Sequence, residues 1–317
     1  MNILLIAGGW SDEREVSLAG AEGIAASLER QGHRVSLYDP RHDFTGLPDV
    51  ARGQDFAFIQ LHGAPGEDGL PQSLLERLGL PYQGADPAAS FLALNKAAAK
   101  TLYRLADLPT PDWIFLCRRP RPGWTPSLPY PLILKHNTGG SSLRLAKAND
   151  PEELAEALDR LFAGGGEILV EEFRQGIELT CAVLGELTEK NGQTAEIPQT
   201  LPPVLIRPLS NSEGLFDYAS KYSQDGAEEI CPAPLPEELL AEVRRLALAA
   251  HQALGLRGYS RTDFILTPQK QLLILETNTL PGMTTASLLP KAALAAGISF
   301  DQLLIRLLDL GLASRRA

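Results

Sequence analysis

One hairpin near the carboxyl end can bring two carboxylates and an amide face to face. In GYSRTDFILTPQKQLLILETNTLPGM, residues 259–278 read as two strands. A turn centred between Gln269 and Lys270 sets Asp263 opposite Glu276 and Arg261 opposite Asn278. Period two then places Thr262, Phe264 and Leu266 with Leu273, Leu275 and Thr277 on a mainly apolar face, and Arg261, Asp263, Glu276 and Asn278 on the other. Directly opposed residues have Cβ atoms roughly 4.5–5.5 Å apart, where like charges repel, so a cation belongs between the acids. Oxygen donors of this kind suit a hard ion such as Mg²⁺, held by a few protein ligands together with substrate phosphates. The competing reading is a solvent-exposed face on which Arg261 neutralises both acids, and a β-bulge would shift the register.

A phosphorylated substrate also needs fixed cations and backbone donors. In KHNTGGSSLR, Lys135 ends a strand and is followed by Gly139, Gly140, Ser141 and Ser142. Amides in such a turn can cradle phosphate, although Gly/Ser runs are also ordinary turns and the Gly-Lys-Ser/Thr ending of a P-loop is missing. Lys96 on a helix reads either as a second phosphate contact or as a surface lysine. Glu171, Glu172 and Glu178 flank a strand and could receive a ribose.

These side chains must be carried by regular elements. Near the amino terminus, residues 3–7, 35–38 and 56–61 are strand-like and 16–28 helical, a βαβ pattern with a parallel sheet. Asp12 and Glu15 resemble a capping box that starts the helix near Glu13. The Rossmann fingerprint is missing, but ligands of open parallel sheets gather at the carboxyl ends of strands, which aims Glu13 and His62 at one crevice. A helical stretch over 88–105 ends at LPTPDW, where Pro109 and Pro111 mark a boundary. Beyond it come strands at 132–135 and 167–173 around a helix at 151–162. Further strands from 176 precede NSEGLFDYASKYSQDG, a polar stretch long enough for a lid. A helix at 237–254, the hairpin and a helix at 300–310 close the chain, and no internal repeat is found.

A length of 317 residues predicts two domains, or one with a large elaboration. Twenty-nine Lys and Arg against 39 Asp and Glu, a net charge of −10, argue against a general grip on nucleic acid or an anionic membrane. Three widely spaced cysteines exclude a disulfide framework or zinc cluster. With no long apolar run, the sequence reads as cytosolic and soluble.

Nine segments occur in order over most of the chain: GGWSDEREVSL, LHGAPGEDG, LNKAAAK, LPTPDW, LILK followed by GGSS, ILVEEF, FDYASKY, RTDF and ETNTLPGMT. Together they resemble the D-alanine–D-alanine ligase family of the ATP-grasp superfamily. The resemblance implies an α/β fold: an amino-terminal parallel-sheet domain (1–88) and two ATP-grasp subdomains (89–175 and 176–317), with an active-site lid at 210–225. It implies that Lys96, Lys135 and Lys221 contact ATP phosphates. Glu171 and Glu178 would serve the adenine and ribose, and the backbone at Phe173 and Arg174 the adenine edge. Asp263, Glu276 and Asn278 would hold two Mg²⁺ ions, with Mn²⁺ as a substitute. Glu13, assisted by His62, would take the ammonium of the first D-alanine, with Ser141 and Tyr222 linking it to the lid. Ser287 and the backbone of Leu288 would bind the second D-alanine's carboxylate, and Arg261 with the Gly282 amide would stabilise a tetrahedral oxyanion. A cytoplasmic homodimer making a peptidoglycan dipeptide through an acyl phosphate is the implied whole.

The phosphate loop departs from the family form. His136 stands where proline is usual, Gly139 replaces an acid, and Leu143 and Arg144 replace a Val-Gly pair. A paralogous ligase with other amino acids, or a non-catalytic nucleotide-binding homologue, are the competing functions.

Overall fold

Three sheets position the candidate residues in this computed structural model, which describes residues 1–121, 123–139, 145–190, 192–209 and 227–314. The amino-terminal apolar runs form β1 (Asn2–Ala7), α1 (Arg14–Arg30), β2 (Arg34–Tyr38), a short α2 (Leu47–Val50) and β3 (Phe56–Gln60). The strands make a parallel sheet in the order β2-β1-β3. Its central and β3 strands are almost wholly buried, as parallel strands covered on both faces are. The capping box does not form: Glu13 is the N-cap residue of α1 and makes no side-chain cap. The turn is instead tied by hydroxyls, with Ser11 accepting from the Glu13 N–H (3.3 Å) and Ser17 from the Gly8 N–H (2.8 Å).

Next come α3 (Leu70–Leu78), α4 (Pro87–Leu94) and α5 (Lys96–Leu105). The single helical stretch expected over 88–105 is thus two helices. Asn95 takes an extended conformation (φ −78°, ψ 96°) and caps α5 by accepting from the Ala98 N–H. The second sheet contains β4 (Trp113–Leu116), β5 (Leu132–His136), β6 (Leu145–Ala148) and, after α6 (Pro151–Ala163), β7 (Ile168–Glu172). It is antiparallel in the order β4-β7-β5-β6, with Leu132, Leu134, Ile168 and Val170 packed on Leu154, Leu158 and Leu161 of α6.

The third sheet is built from β8 (Ile177–Lys190), β9 (Gln193–Thr200), β10 (Val204–Pro208), β11 (Ala227–Ile230) and, after α7 (Glu237–Ala253), β12 (Tyr259–Leu266) and β13 (Leu272–Asn278). Its order is β11-β10-β8-β12-β13, with β9 also on β8. The chain closes with α8 (Leu288–Ala295) and α9 (Phe300–Ser314). Leu303, Leu304, Leu307 and Leu308 of α9 join Ile3, Leu5 and Phe58 in one core, so the carboxyl-terminal helices complete the first sheet. Among the described residues no single helix is long and apolar enough to cross a membrane.

The hairpin pairs Asp263 with Glu276 and Arg261 with Asn278, but by a different route from the simple period. Its turn is centred on Gln269, with Lys270 at φ +63°, as in three-residue hairpin loops. Leu266 therefore faces Leu272 and Phe264 faces Ile274, and Leu275 is the extra residue of a bulge that restores the alignment at Asp263. The expected apolar partners Leu273 and Leu275 are corrected to Leu272 and Ile274, which pack with Phe264 and Leu266 against Val243, Leu246 and Ala250 of α7. Leu275 turns to the opposite side and lines the cleft described next.

Candidate active site

A cleft of about 520 Å³ lies where the three sheets meet, within the usual range for small-molecule sites. Its hairpin wall is ordered by charge. Arg261 donates through Nε to Asp263 Oδ1 (2.9 Å) and through its terminal nitrogen to Oδ2 (2.8 Å). Asp263 also accepts from Thr180 Oγ1 (2.6 Å) on β8 and from Asn278 Nδ2 (3.1 Å). Lys96 Nζ stands 3.4 Å from Glu276 Oε2 and donates to the Gly139 carbonyl (2.6 Å). Arg261 bonds Asp263, as the competing reading expects of one of the two acids, and Lys96 also faces Glu276. Lys96 is no surface lysine, being 8% exposed.

Asn137 fixes Lys96 against β5. Its carbonyl accepts from the Lys96 N–H, its Oδ1 from the Ala97 N–H, and its Nδ2 donates to Asn95 and to Glu167. The first turn of α5, whose N–H groups have no partner within the helix, is thereby satisfied by the loop after β5.

At the far end of the cleft, Glu171 of β7 is 3% exposed. Lys135 Nζ lies 2.5 Å from its Oε2, and Lys100 pairs with its Oε1. Burial alone would raise the Glu171 pKa, but the two lysines outweigh it and the net shift is downward. Phe173 stacks under Lys147 (4.6 Å), and its N–H donates to the Pro131 carbonyl. Arg174 pairs with Glu172 (2.7 Å), and Glu178 lines the same end.

The wall from the first sheet is held mainly by hydrogen bonds to backbone, with one ion pair behind Glu13. Glu13 lines the cleft on the first turn before α1. Arg14 beside it donates to the Gly9 carbonyl and pairs with Asp39 (2.5 Å). Burial works to raise Asp39, but Arg14 and two backbone N–H groups hold it down at about 2. Gly8 has φ +92°, and a side chain there would meet Arg14 and Asp39 at 2.6 Å. His62 is buried, its Nδ1 bonded to the Leu280 carbonyl (3.0 Å) and its Nε2 to the Gln60 amide (3.3 Å). A ring nitrogen facing a carbonyl must carry the proton, so Nε2 accepts from Gln60. Burial, with Arg261 adding to it, takes the His62 pKa down to about 4. Glu67, absent from the sequence-based candidates, accepts from the Gly63 N–H (2.9 Å) and the Leu280 N–H (3.3 Å). Burial pushes its pKa up to about 7.

Of the candidates, Glu13, Lys96, Lys135, Glu171, Phe173, Arg174, Glu178, Asp263 and Glu276 line the cleft. Arg261 and Asn278 reach it by bonding Asp263, and His62 stands behind it. Gly282 and Ser287 meet on the loop before α8: a Cβ at Gly282 would lie 2.9 Å from Ser287 Oγ, which in turn accepts from the Thr284 N–H. Ser141, Lys221, Tyr222 and the lid at 210–225 lie outside the described residues, as do Leu143 and Arg144. His136 lines the cleft, and Gly139 lies close by it. The residues missed are Lys100, Glu67, Asn137 and Thr180. Lys100 and Glu67 lie inside quoted motifs, LNKAAAK and LHGAPGEDG, but neither carries a pattern of its own.

Two antiparallel sheets closing on a cleft, with one lysine from β5, one from α5 and opposed acids from the β12–β13 hairpin, have the architecture of an ATP-grasp ligase. The family described as D-ala D-ala ligase C-terminus matches residues 102–309. The D-alanine–D-alanine ligase of Oleidesulfovibrio alaskensis is 58% identical over 99% of this chain and 97% of its own length. Among solved structures, the D-alanine–D-alanine ligase of Bacillus anthracis complexed with ATP is 31% identical with a TM-score of 0.84, covering 100% of this chain and 99% of that one. The VanG D-Ala:D-Ser ligase of Enterococcus faecalis is 27% identical with a TM-score of 0.80, covering 98% of each chain. The chain belongs to the D-alanine–D-alanine ligase family.

Proposed function

We propose that this chain joins two D-alanines at the expense of ATP, supplying a dipeptide for peptidoglycan. The observation that carries the reading is the direct pairing of Asp263 with Glu276 beside Lys96, in a cleft bounded by Glu13 at one end and Lys135 at the other. A nucleotide fits with its phosphates along Lys135 and Lys96 and its base toward Phe173. Since the Phe173 N–H is taken by Pro131, the Phe173 carbonyl and the Arg174 N–H are the groups for an adenine edge. In this reading Glu178 receives the ribose, and Lys221 would complete the phosphate contacts.

Asp263, Glu276 and Asn278 fit Mg²⁺ by donor chemistry: oxygen ligands on one face of a strand pair, two of them partly open to the cleft. Two ions there would neutralise charge on the transferring phosphoryl group. Glu13 orients the ammonium of the first D-alanine, while His62, neutral, holds the Leu280 backbone behind it. The substrate carboxylate takes the γ-phosphoryl group, ADP leaves, and an acyl phosphate results. Ser287, as N-cap of α8, and the Leu288 N–H receive the second substrate's carboxylate, where a helix start favours an anion. Attack by its amine raises a tetrahedral oxyanion that Arg261 and the Gly282 N–H stabilise, and its collapse breaks the C–O bond to phosphate, which leaves as the nitrogen gives up its proton. Ser141 and Tyr222 would tie Glu13 to the lid that excludes water. The three segments 1–88, 89–175 and 176–317 act as the units of this site, in a cytoplasmic homodimer.

Phosphate release with D-alanine, ATP and Mg²⁺ tests the reading, and absence of dipeptide at millimolar D-alanine would sink it. The likeness to a D-Ala:D-Ser ligase favours one second reading, a different acceptor. A panel of D-serine, glycine and L-alanine separates the two.

A further inference from the structure

Lys100 has no part in the reading above, yet it is fully buried. It lies one turn beyond Lys96 on α5, with Tyr103 next on the same face. Its ammonium is committed on every side. It pairs with Glu171 Oε1, donates to Thr110 Oγ1 (2.5 Å) and the Pro111 carbonyl (3.4 Å), and sits 5.6 Å from the centre of the Trp113 ring. Thr110 in turn donates its hydroxyl hydrogen bond to the Ile274 carbonyl of β13 (2.7 Å). Lys135 differs. It holds the other oxygen of Glu171 but also lines the cleft. One buried carboxylate therefore has two ammonium partners, of which only Lys135 can turn to an incoming anion.

Were Lys135 the sole counter-charge of Glu171, a phosphate could recruit it only by stranding a buried carboxylate, a change that is strongly disfavoured. With Lys100 in place, Glu171 keeps a partner when Lys135 departs. We propose that Lys100 is the standing counter-ion of Glu171 and, through it, the positioning residue that leaves Lys135 available to the nucleotide's phosphates. The inference rests on the assignment of Lys135 to ATP in the proposed function. Burial lowers the Lys100 pKa to about 8, with Glu171 working against that, so the ammonium persists at neutral pH.

The test compares the full-length wild type, Lys100→Met and the charge-keeping variant Lys100→Arg. Michaelis constants for ATP and D-alanine are measured together with calorimetric binding of Mg·ADP. Lys100→Met raises the KM for ATP about tenfold or more, leaving that for D-alanine within about twofold, because the affected pair faces only the nucleotide. Lys100→Arg, which keeps a cation beside Glu171, restores most of the ATP affinity. A lysine needed only for packing would be replaced better by methionine than by arginine. An unaltered KM for ATP in Lys100→Met, or a Lys100→Arg no better than Lys100→Met, overturns the proposal. Should Lys100→Met fail to fold by circular dichroism, Lys100→Arg decides. A folded Lys100→Arg binding Mg·ADP within about threefold of wild type sustains the proposal, and an unfolded one or one weakened about tenfold overturns it. A wild type that binds no nucleotide removes the ligase reading and this inference together, whereas a wild type that binds and variants that bind equally refute only the role of Lys100.

Discussion

On the wall formed by the first sheet, the loop around Glu13 and the loop from Gly63 to Glu67 are organised largely by hydrogen bonds to backbone. His62 and Glu67 grip the carbonyl and the N–H of the same residue, Leu280. On the wall formed by the two antiparallel sheets, the polar residues are organised by ion pairs: Arg261 with Asp263, Lys96 with Glu276, and Lys100 and Lys135 with Glu171. The difference matches what each wall would meet under the proposed function. A zwitterionic amino acid brings one charge of each sign and needs a rigid frame around Glu13. A nucleotide polyanion with divalent ions needs charges that can change partners without leaving any buried charge alone.

Glu276→Gln strikes the ion-paired wall hardest. It removes one opposed carboxylate while keeping its shape, so phosphate release in the presence of D-alanine should fall by about 10²-fold or more. The melting temperature should change little, because Glu276 is partly open to the cleft. Turnover retained at the wild-type rate would refute a metal role for the acid.

The hydrogen-bonded wall is expected to break by pH instead. His62 has a folded pKa of about 4 against an ordinary 6.5. Its stabilising contribution is complete above 6.5 and is lost as pH falls toward 4, by roughly 3 kcal/mol at most. Glu67 has the opposite sign: its folded pKa of about 7 stands above an ordinary 4.5, so the folded state loses ground as pH rises from 4.5 to 7. Melting temperatures of His62→Gln and Glu67→Gln measured beside wild type isolate each group from His251, which burial also lowers to about 4. The gap between His62→Gln and wild type should close on acidification. Glu67→Gln should gain on wild type as pH rises through 7. Parallel curves would mean that neither group is held in its neutral form.

Glu13→Gln sharpens the contrast by function. Loss of one charge-assisted bond should raise the KM for the first D-alanine by about 10- to 100-fold, leaving the KM for ATP near wild type. An equal rise in both would mean that the two walls are not independent.

The order of elements was legible because apolar runs and their periods are local properties, whereas the pairing of Asp263 with Glu276 came out as expected only because a bulge offset an error of register in the turn. One failure was local: Leu275 as a bulge residue has no signature in ETN or LLIL, since it accompanies a three-residue turn that offsets the register. The others depended on distant chain. Lys100 looks like one more solvated lysine in KAAAK until β7, some seventy residues on, brings Glu171 against it. Asn137 reads as a loop residue until the start of α5 needs acceptors. The same limit hid the core: α9 reads as a terminal amphipathic helix, yet its leucines complete the sheet that begins the chain.

The smallest expected effect comes from the side of the hairpin that faces away from the cleft. Tyr103, the third group on the buried face of α5, donates its hydroxyl to Thr277 Oγ1 (2.7 Å), which also bonds Thr262 Oγ1 (3.0 Å). No charge is involved, and Thr277 keeps a partner if the tyrosine hydroxyl is removed. Tyr103→Phe should therefore cost about 1 kcal/mol in urea unfolding. Its kcat and both Michaelis constants should stay near wild type, because the Lys96 N–H and the Lys100 ammonium are held independently of Tyr103, by Asn137 and Glu171. A large fall in activity would show that the apolar side of β13 sets the position of Glu276. The separation between a charge-ordered cleft face and a passively packed back face would then fail at its most ordinary hydrogen bond.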